Sequence, residues 1–309
     1  MSASSPRRIT GWIAVAISTI VTGFWAFWGI VENFYEGWYW HSLRQNVELM
    51  LGQYLLVMFV MLSLTLLAIW LPHVGALAHV VAGFFALHFF RGSSLKVLLP
   101  LITGPLVVLG LLYWYGRAEP RRLATKLLIG LTAATLVVCG AYPAWIVARR
   151  VDDGDRGARI VRAGAVTLEW APAGPGWPDS GVTWNEAVRR CRYLNEDGET
   201  LADSPQDIWR LPTIEEAVAS QSLHLSPAGG VWNPVARTAT YQHTPDKEPP
   251  LWNPYSQIIY SWTSTSVDDR TAYYISYNGH VIPAQKRFGW GYLGFRAVRE
   301  VARAAAPIP

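Results

Sequence analysis

Residues able to do chemistry are few in this chain, and they are scattered. Two cysteines stand among 309 residues. Cys139 lies in an apolar stretch and Cys191 in the polar half, and no Cys-x-x-Cys occurs. Thiol redox motifs and cysteine-built zinc sites are therefore excluded, and no intrachain disulfide is expected. His79 and His88 are nine positions apart, about 180° around a helix, so they cannot grip one metal from one face. His224, His243 and His280 are too widely spaced to read as a triad. Ser261, Ser264 and Ser266 sit in a strand-like Ser/Thr run that lacks the glycines of a nucleophile elbow. Adjacent Asp268 and Asp269 could lend oxygens to Ca²⁺, although consecutive aspartates in a turn are ordinarily solvated. No catalytic residue and no metal set emerges, and apart from such a Ca²⁺ no cofactor is expected.

The elements that would position these residues fall into two regions with different solvents. The chain is 51% hydrophobic with sixteen tryptophans, and nearly all of the excess precedes residue 148. Residues 1–147 read as a multi-pass α-helical membrane domain with five spans, at about 11–30, 50–71, 74–90, 97–115 and 127–147. The third is the weakest, being short and carrying His79 and His88. Pro105 and Pro143 should kink the fourth and fifth spans. The first apolar stretch is too long for a signal peptide and ends in bulky "FWAFWGI", so an uncleaved anchor is expected. Arg7 and Arg8 before the first span, and Arg117, Arg121, Arg122 and Lys126 before the fifth, mark the cytoplasmic side if five spans are present. The lipid bilayer is thus the first partner. With no basic stripe carrying interleaved aromatics, the net charge of +4 is not read as nucleic-acid binding. The loop holding Phe34, Tyr35, Trp38, Tyr39 and Trp40 reads as an interfacial aromatic belt or, more sharply, a surface for lipid or glycan.

Residues 148–162 read as a charged linker, 163–300 as a small α+β domain, and 301–309 as a tail. "AVTLEWAP" is a strand. "VTWNEAVRRCRYLN" is an amphipathic helix opened by a capping box of Thr183 and Glu186. "DIWRLPTIEEAV" reads as a strand, Asp207–Leu211, ended by Pro212 and followed by a helix whose capping box is Thr213 with Glu216. Residues 227–254 are irregular and contain the echo "VWNP…LWNP", either a functional excursion or two Asn-Pro turns beside buried tryptophans. "IIYSWTSTS" and "TAYYISYNGHVIPAQK" are strands, the second a hairpin turned at Asn278-Gly279, and "YLGFRAVRE" closes the domain.

The order "WNEA…C…LN", "WRLPTxxEA", "YSWTSTS…AYYISYNG", "GFRAVR" resembles the formylglycine-generating-enzyme-like superfamily, and more closely its non-catalytic Lcl-type C-terminal domains of bacterial surface proteins. The resemblance covers residues 164–300 and implies a C-type-lectin-like fold. Within it, Trp209, Arg210, Leu211, Pro212, Thr213 and Glu216 would be a scaffold motif. The enzyme branch holds copper on a late cysteine pair, which is absent after Cys191. The Lcl-type branch commonly pairs a first-helix cysteine with one in the last strand; here Ala297 stands at the second position, leaving Cys191 a buried free thiol. Ligands would then be expected at the loops near the hairpin, at Asp268, Asp269, Arg270, Asn278, His280, Lys286 and Arg287, with Trp262, Tyr273, Trp290 and Tyr292 as aromatic neighbours. The resulting expectation is a bacterial inner- or plasma-membrane protein, N-terminus cytoplasmic, whose extracytoplasmic domain recognises a glycan, peptide or envelope partner without catalysis. An enzyme of the same superfamily with noncysteine chemistry and a structural module of a membrane complex are the alternatives.

Overall fold

The computed structural model describes residues 5–91, 94–152, 159–163 and 166–301. Linker residues 153–158 and tail residues 302–309 lie outside the described residues. The chain divides into two compact units, Met1–Gly37 with Leu43–Trp145, and Trp38–Ser42 with Ile146–Pro309.

The first unit is helical. Helix α1 (Pro6–Glu32) starts on Pro6, whose fixed φ suits a first turn, and runs into a π-helical turn, Asn33–Gly37. Helix α2 (Leu43–Leu49) passes through another π turn, Met50–Tyr54, into α3 (Leu56–Trp70). Helix α4 (Pro72–Phe89) follows, then α5 (Leu95–Leu98), a third π turn (Leu99–Thr103), α6 (Gly104–Tyr115) and α7 (Arg121–Val147). Three of these stretches are long and apolar enough to cross a membrane: Pro6–Gly37, Pro72–Phe89 and Arg121–Val147. The expectation of five single-helix spans is corrected accordingly. The second bends by 57° between Tyr54 and Leu56 and supplies a fourth crossing only if the bent pair is one span. In the fourth, the apolar helix after the π turn is Gly104–Tyr115, which rises about 18 Å against a hydrocarbon core of about 30 Å. The weak third span, Pro72–Phe89, qualifies by length and hydropathy; within it His79 is fully buried and its Nδ1 lies 2.8 Å from the Gly75 carbonyl oxygen.

Small residues let these helices approach closely. A Cβ on Gly75 would stand 2.2 Å from Ala68 Cα, and one on Gly110 would stand 2.9 Å from the Ala76 carbonyl oxygen. At one end of the bundle the Arg117 amide donates to the Arg7 carbonyl (2.8 Å). There Arg8 Nε and Trp12 Nε1 both donate to the Glu119 carbonyl, and Arg121 reaches the Trp70 carbonyl. The start of α1, the α3–α4 turn and the α6–α7 turn therefore share that end.

The second unit is sheet-rich. Strands β1 (Arg159–Ala163) and β2 (Val166–Trp170) form an antiparallel pair. Then come α8 (Trp184–Tyr193), α9 (Ile214–Ala219) and two short ribbons, β3 (Ser222–Leu223) with β4 (Ser226–Pro227) and β5 (Val231–Asn233) with β6 (Thr238–Thr240). Strands β7 (Tyr260–Ser266), β8 (Thr271–Ser276) and β9 (Val281–Gln285) form an antiparallel meander, with β10 (Leu293–Gly294) parallel to β7. Strand β11 (Val298–Glu300) pairs with β2. The hairpin expected at Asn278-Gly279 is present, and Gly279 takes the positive φ (84°) that such a turn requires. Helix α8, through Ala187 and Cys191, builds the core with Trp209, Leu211, Trp262 and Phe295 against this meander.

Three local readings need correction. Residues 207–211 are not a strand: Asp207 takes a left-handed φ of 54°, and only Arg210 makes a bridge, to Val298. The last strand is two, β10 and β11, in different sheets. At Thr183 only half a capping box forms: its oxygen accepts from the Glu186 amide, but Glu186 spends its carboxylate on Arg189 and Arg190. The Thr213–Glu216 box is complete.

Candidate functional site

The residues expected around the hairpin do not form one site. Asp268, Asp269 and Arg270 make the β7–β8 turn, whereas Asn278 and His280 make the β8–β9 turn. Six residues of β8 separate them, about 20 Å of strand. Asp268 is occupied as a turn former: it accepts the Arg270 amide at 2.7 Å, and that bond holds its carboxyl below the usual carboxylate range. Asp269, Arg270 and His280 are exposed. Asn278 accepts from the Ser276 hydroxyl at 2.5 Å. Among the described residues no three His, Cys, Asp or Glu gather as a metal set.

Two of the expected aromatic contacts are core residues. Trp262 is fully buried, its indole N–H donating to the Val182 carbonyl (3.0 Å) and its ring edge-on to Tyr274. Tyr273 is buried against Trp232. Trp262 pairs with Tyr274 and shares its face, while Tyr273 lies on the opposite face under Trp232; β8 is buried on both faces, so neither ring can touch a ligand at the surface.

The remaining candidates gather along the loop from Lys286 to Tyr292. The Lys286 amide donates to the Arg270 carbonyl, the Trp184 amide to the Lys286 carbonyl, and the Val182 amide to the Leu293 carbonyl, so the loop is fastened at both ends to the approach to α8. Gly181 allows this closeness, since a Cβ there would lie 1.5 Å from the Trp290 carbonyl oxygen. On this frame Phe288 and Trp290 stack at 5.3 Å, with Trp290 46% exposed. Lys286 Nζ lies 4.4 Å above the Trp184 ring, and Arg287 bonds Gln285 beside Phe288. Trp184 also walls a cleft of about 290 Å³ that Trp209, Cys191, Arg192, Arg210 and Ser264 help to line. Burial pushes the Cys191 thiol up, away from nucleophilic thiolate. Asp207 at the rim is held down by Arg192. Burial works against ionisation of Glu216, but Arg210 and the Thr213 amide outweigh it and hold the carboxyl low. These groups are locked in one protonation state at neutral pH, which suits positioning rather than proton transfer.

Sequence reasoning missed a second cluster, inside the irregular 227–254 excursion. Asp246, Lys247 and Glu248 are consecutive and all buried. Arg150 grips Asp246 with two bonds of 2.7 Å. Glu248 accepts the amides of Val151 and Leu225, and Lys247 donates to the Ser256 carbonyl below the Tyr39 ring. Arg296 is buried too; it donates to the carbonyls of Ala171 and Pro250 and lies 3.6 Å over Trp177. Charges this deep must be paired, and they fix an excursion that has little regular backbone pairing. Three successive charges bounded by prolines ("PDKEPP") were the available signal.

No protein-family model, no curated protein and no solved structure matches this chain.

Proposed function

We propose that this chain is a recognition protein of a bacterial inner or plasma membrane, with a cytoplasmic N-terminus. Its sheet-rich unit would be extracytoplasmic and C-type-lectin-like, and would bind a glycan without catalysis. The carrying observation is exposed Trp290, stacked on part-buried Phe288 on a fastened loop, with Arg287 beside Phe288 and Lys286 over Trp184 on the same loop. Sugar rings present C–H faces to aromatic planes, and acidic sugars add carboxylates for the two cations. The basic residues sharing one end of the bundle support the orientation, since cytoplasmic ends are enriched in Lys and Arg. The four-motif resemblance supports the fold assignment.

The test is calorimetric titration of the full chain in nanodiscs with an acidic uronate polysaccharide and with a neutral glucan. The acidic polymer should bind more tightly, and Trp290→Ala should weaken it at least tenfold, about 1.4 kcal/mol. Absence of binding by either polymer, or parental affinity in Trp290→Ala, sinks the reading.

A further inference from the structure

The cleft beside the Lys286–Tyr292 loop takes its walls from three elements: Trp184 and Val188 of α8, Trp209 and Leu211 of the segment before α9, and Ser264 of β7. Its volume of about 290 Å³ lies at the small end of ligand pockets, room for one ring rather than a chain. Both indole N–H groups are spent on backbone, Trp184 on the Thr263 carbonyl and Trp209 on the Asn195 carbonyl, so only their apolar parts face the cleft. An ion pair of 2.8 Å, Arg192 with Asp207, joins two of the walls, and both its side chains are more than half exposed. Arg192 gives only Nε to Asp207 Oδ1; its terminal nitrogens and Asp207 Oδ2 have no hydrogen-bond partner among the described residues. Ser264 donates its hydroxyl to the Pro212 carbonyl and can still accept.

The charges in this cleft are already answered, Arg192 by Asp207 and Arg210 by Glu216 and Glu300, so an anion finds no spare cation there. A wholly apolar group would strip water from the open donors and acceptor of the Arg192–Asp207 pair. A neutral ring bearing hydroxyls suits both features, its C–H face on the apolar floor and its hydroxyls on Arg192, Asp207 and Ser264. The loop differs, because it presents the cations Lys286 and Arg287. The two places adjoin: Lys286 Nζ lies 4.4 Å over the Trp184 ring, and the Lys286 carbonyl accepts the Trp184 amide at 3.0 Å. Gly289 passes against Thr183, where a Cβ would stand 3.0 Å from the Thr183 amide nitrogen. A chain laid along the loop thus reaches the cleft at Trp184. We propose that the cleft is a second sugar subsite, for a neutral ring joined to an acidic ring held at Trp290, and that the glycan alternates uronates with neutral sugars. The assignment rests on the glycan reading of the loop and names the class of glycan.

The experiment is calorimetric titration of the full chain in nanodiscs with hyaluronan, which alternates glucuronate with a neutral N-acetylated sugar, and with polygalacturonate, which is uronate throughout. Hyaluronan should bind at least tenfold more tightly, although it carries a carboxylate only on every other ring. Val188→Phe, which fills the cleft, and Arg192→Ala, a surface change that removes its donors, should each abolish that preference. Trp290→Ala should weaken both polymers. Equal affinity of the parent for the two, or a preference kept by Arg192→Ala or by a Val188→Phe chain with parental circular dichroism, overturns the subsite and leaves the glycan reading standing. Binding of neither polymer sinks both.

Discussion

The two units keep polar atoms inside by opposite means. In the helical bundle some interior hydroxyls turn back onto their own backbone: Thr65 bonds the Met61 carbonyl and Thr132 the Leu128 carbonyl, each one turn earlier. Ser18 and Tyr113 share a bond across helices (3.0 Å). Large apolar residues such as Phe84, Phe85, Val137 and Val138 face outward. In the sheet-rich unit the order is reversed. Tryptophans 170, 252 and 262 fill the interior, and so do Arg150, Asp246, Lys247, Glu248 and Arg296, each meeting a charge, a carbonyl or a backbone amide. A surface facing hydrocarbon lets the chain bury hydroxyls that their own helix satisfies, and it penalises charge. A surface facing water lets the fold desolvate charges, provided every one is paired. Close approach in the bundle rests on missing side chains, and cohesion in the sheet-rich unit on completed pairs.

The comparison is broken most directly by removing one partner of a completed pair. Arg150→Met removes one partner of a buried ion pair and strands Asp246, so the chain should lose about 3–5 kcal/mol. The double variant Arg150→Met, Asp246→Leu should recover most of that, as measured by chemical denaturation followed by tryptophan fluorescence. If the single variant loses no more than the double, the pair does not hold the excursion. In the bundle the equivalent injury is addition. Gly75→Leu must push a side chain into Ala68 and should cost about 1–3 kcal/mol, read as earlier unfolding in a detergent titration. Gly130→Leu, with nothing within 4 Å of its Cβ, should leave the titration unmoved. Equal behaviour of the two glycine variants would show that packing of small residues is not what joins these helices.

What could be read from the sequence follows the same division. Charge-free runs announced the helices, because a membrane leaves little freedom at the surface of a span. The π turns at Met50–Tyr54 and Leu99–Thr103 and the 57° bend had no such signature, since the charge-free run continues unchanged through them. Asn278-Gly279 gave the hairpin, and Thr213 with Glu216 gave a complete cap, both being local chemistry. Where the hairpin residues end up was not local: β8 is covered on both faces, Trp262 by the core and Tyr273 by Trp232, and strand length parts Asp268 from His280. Of the expected ligand contacts, Arg287 and Trp290 fall together on one loop. The charged cluster was hidden because "DKE" reads as a solvated turn until Arg150, nearly a hundred positions earlier, is brought against it.

The smallest expected effect tests whether pairing matters where water can reach. Glu186 sits in the first turn of α8 between Arg189 and Arg190, and the Arg189 bond above all pulls its carboxyl down to about 2. A carboxyl depressed in the folded state stabilises above its ordinary pKa, near 4.5, and that contribution drains away as pH falls from about 5 to about 2. Both arginines are reached by solvent, so the loss should be only about 0.2–1 kcal/mol, far below that of Arg150→Met. Glu186→Gln should therefore lower stability slightly at pH 7 and flatten the acid limb of the stability curve between pH 5 and 2. A variant whose acid limb keeps the parental slope would mean that the surface pair contributes nothing. Pairing in this unit would then act only where water is excluded.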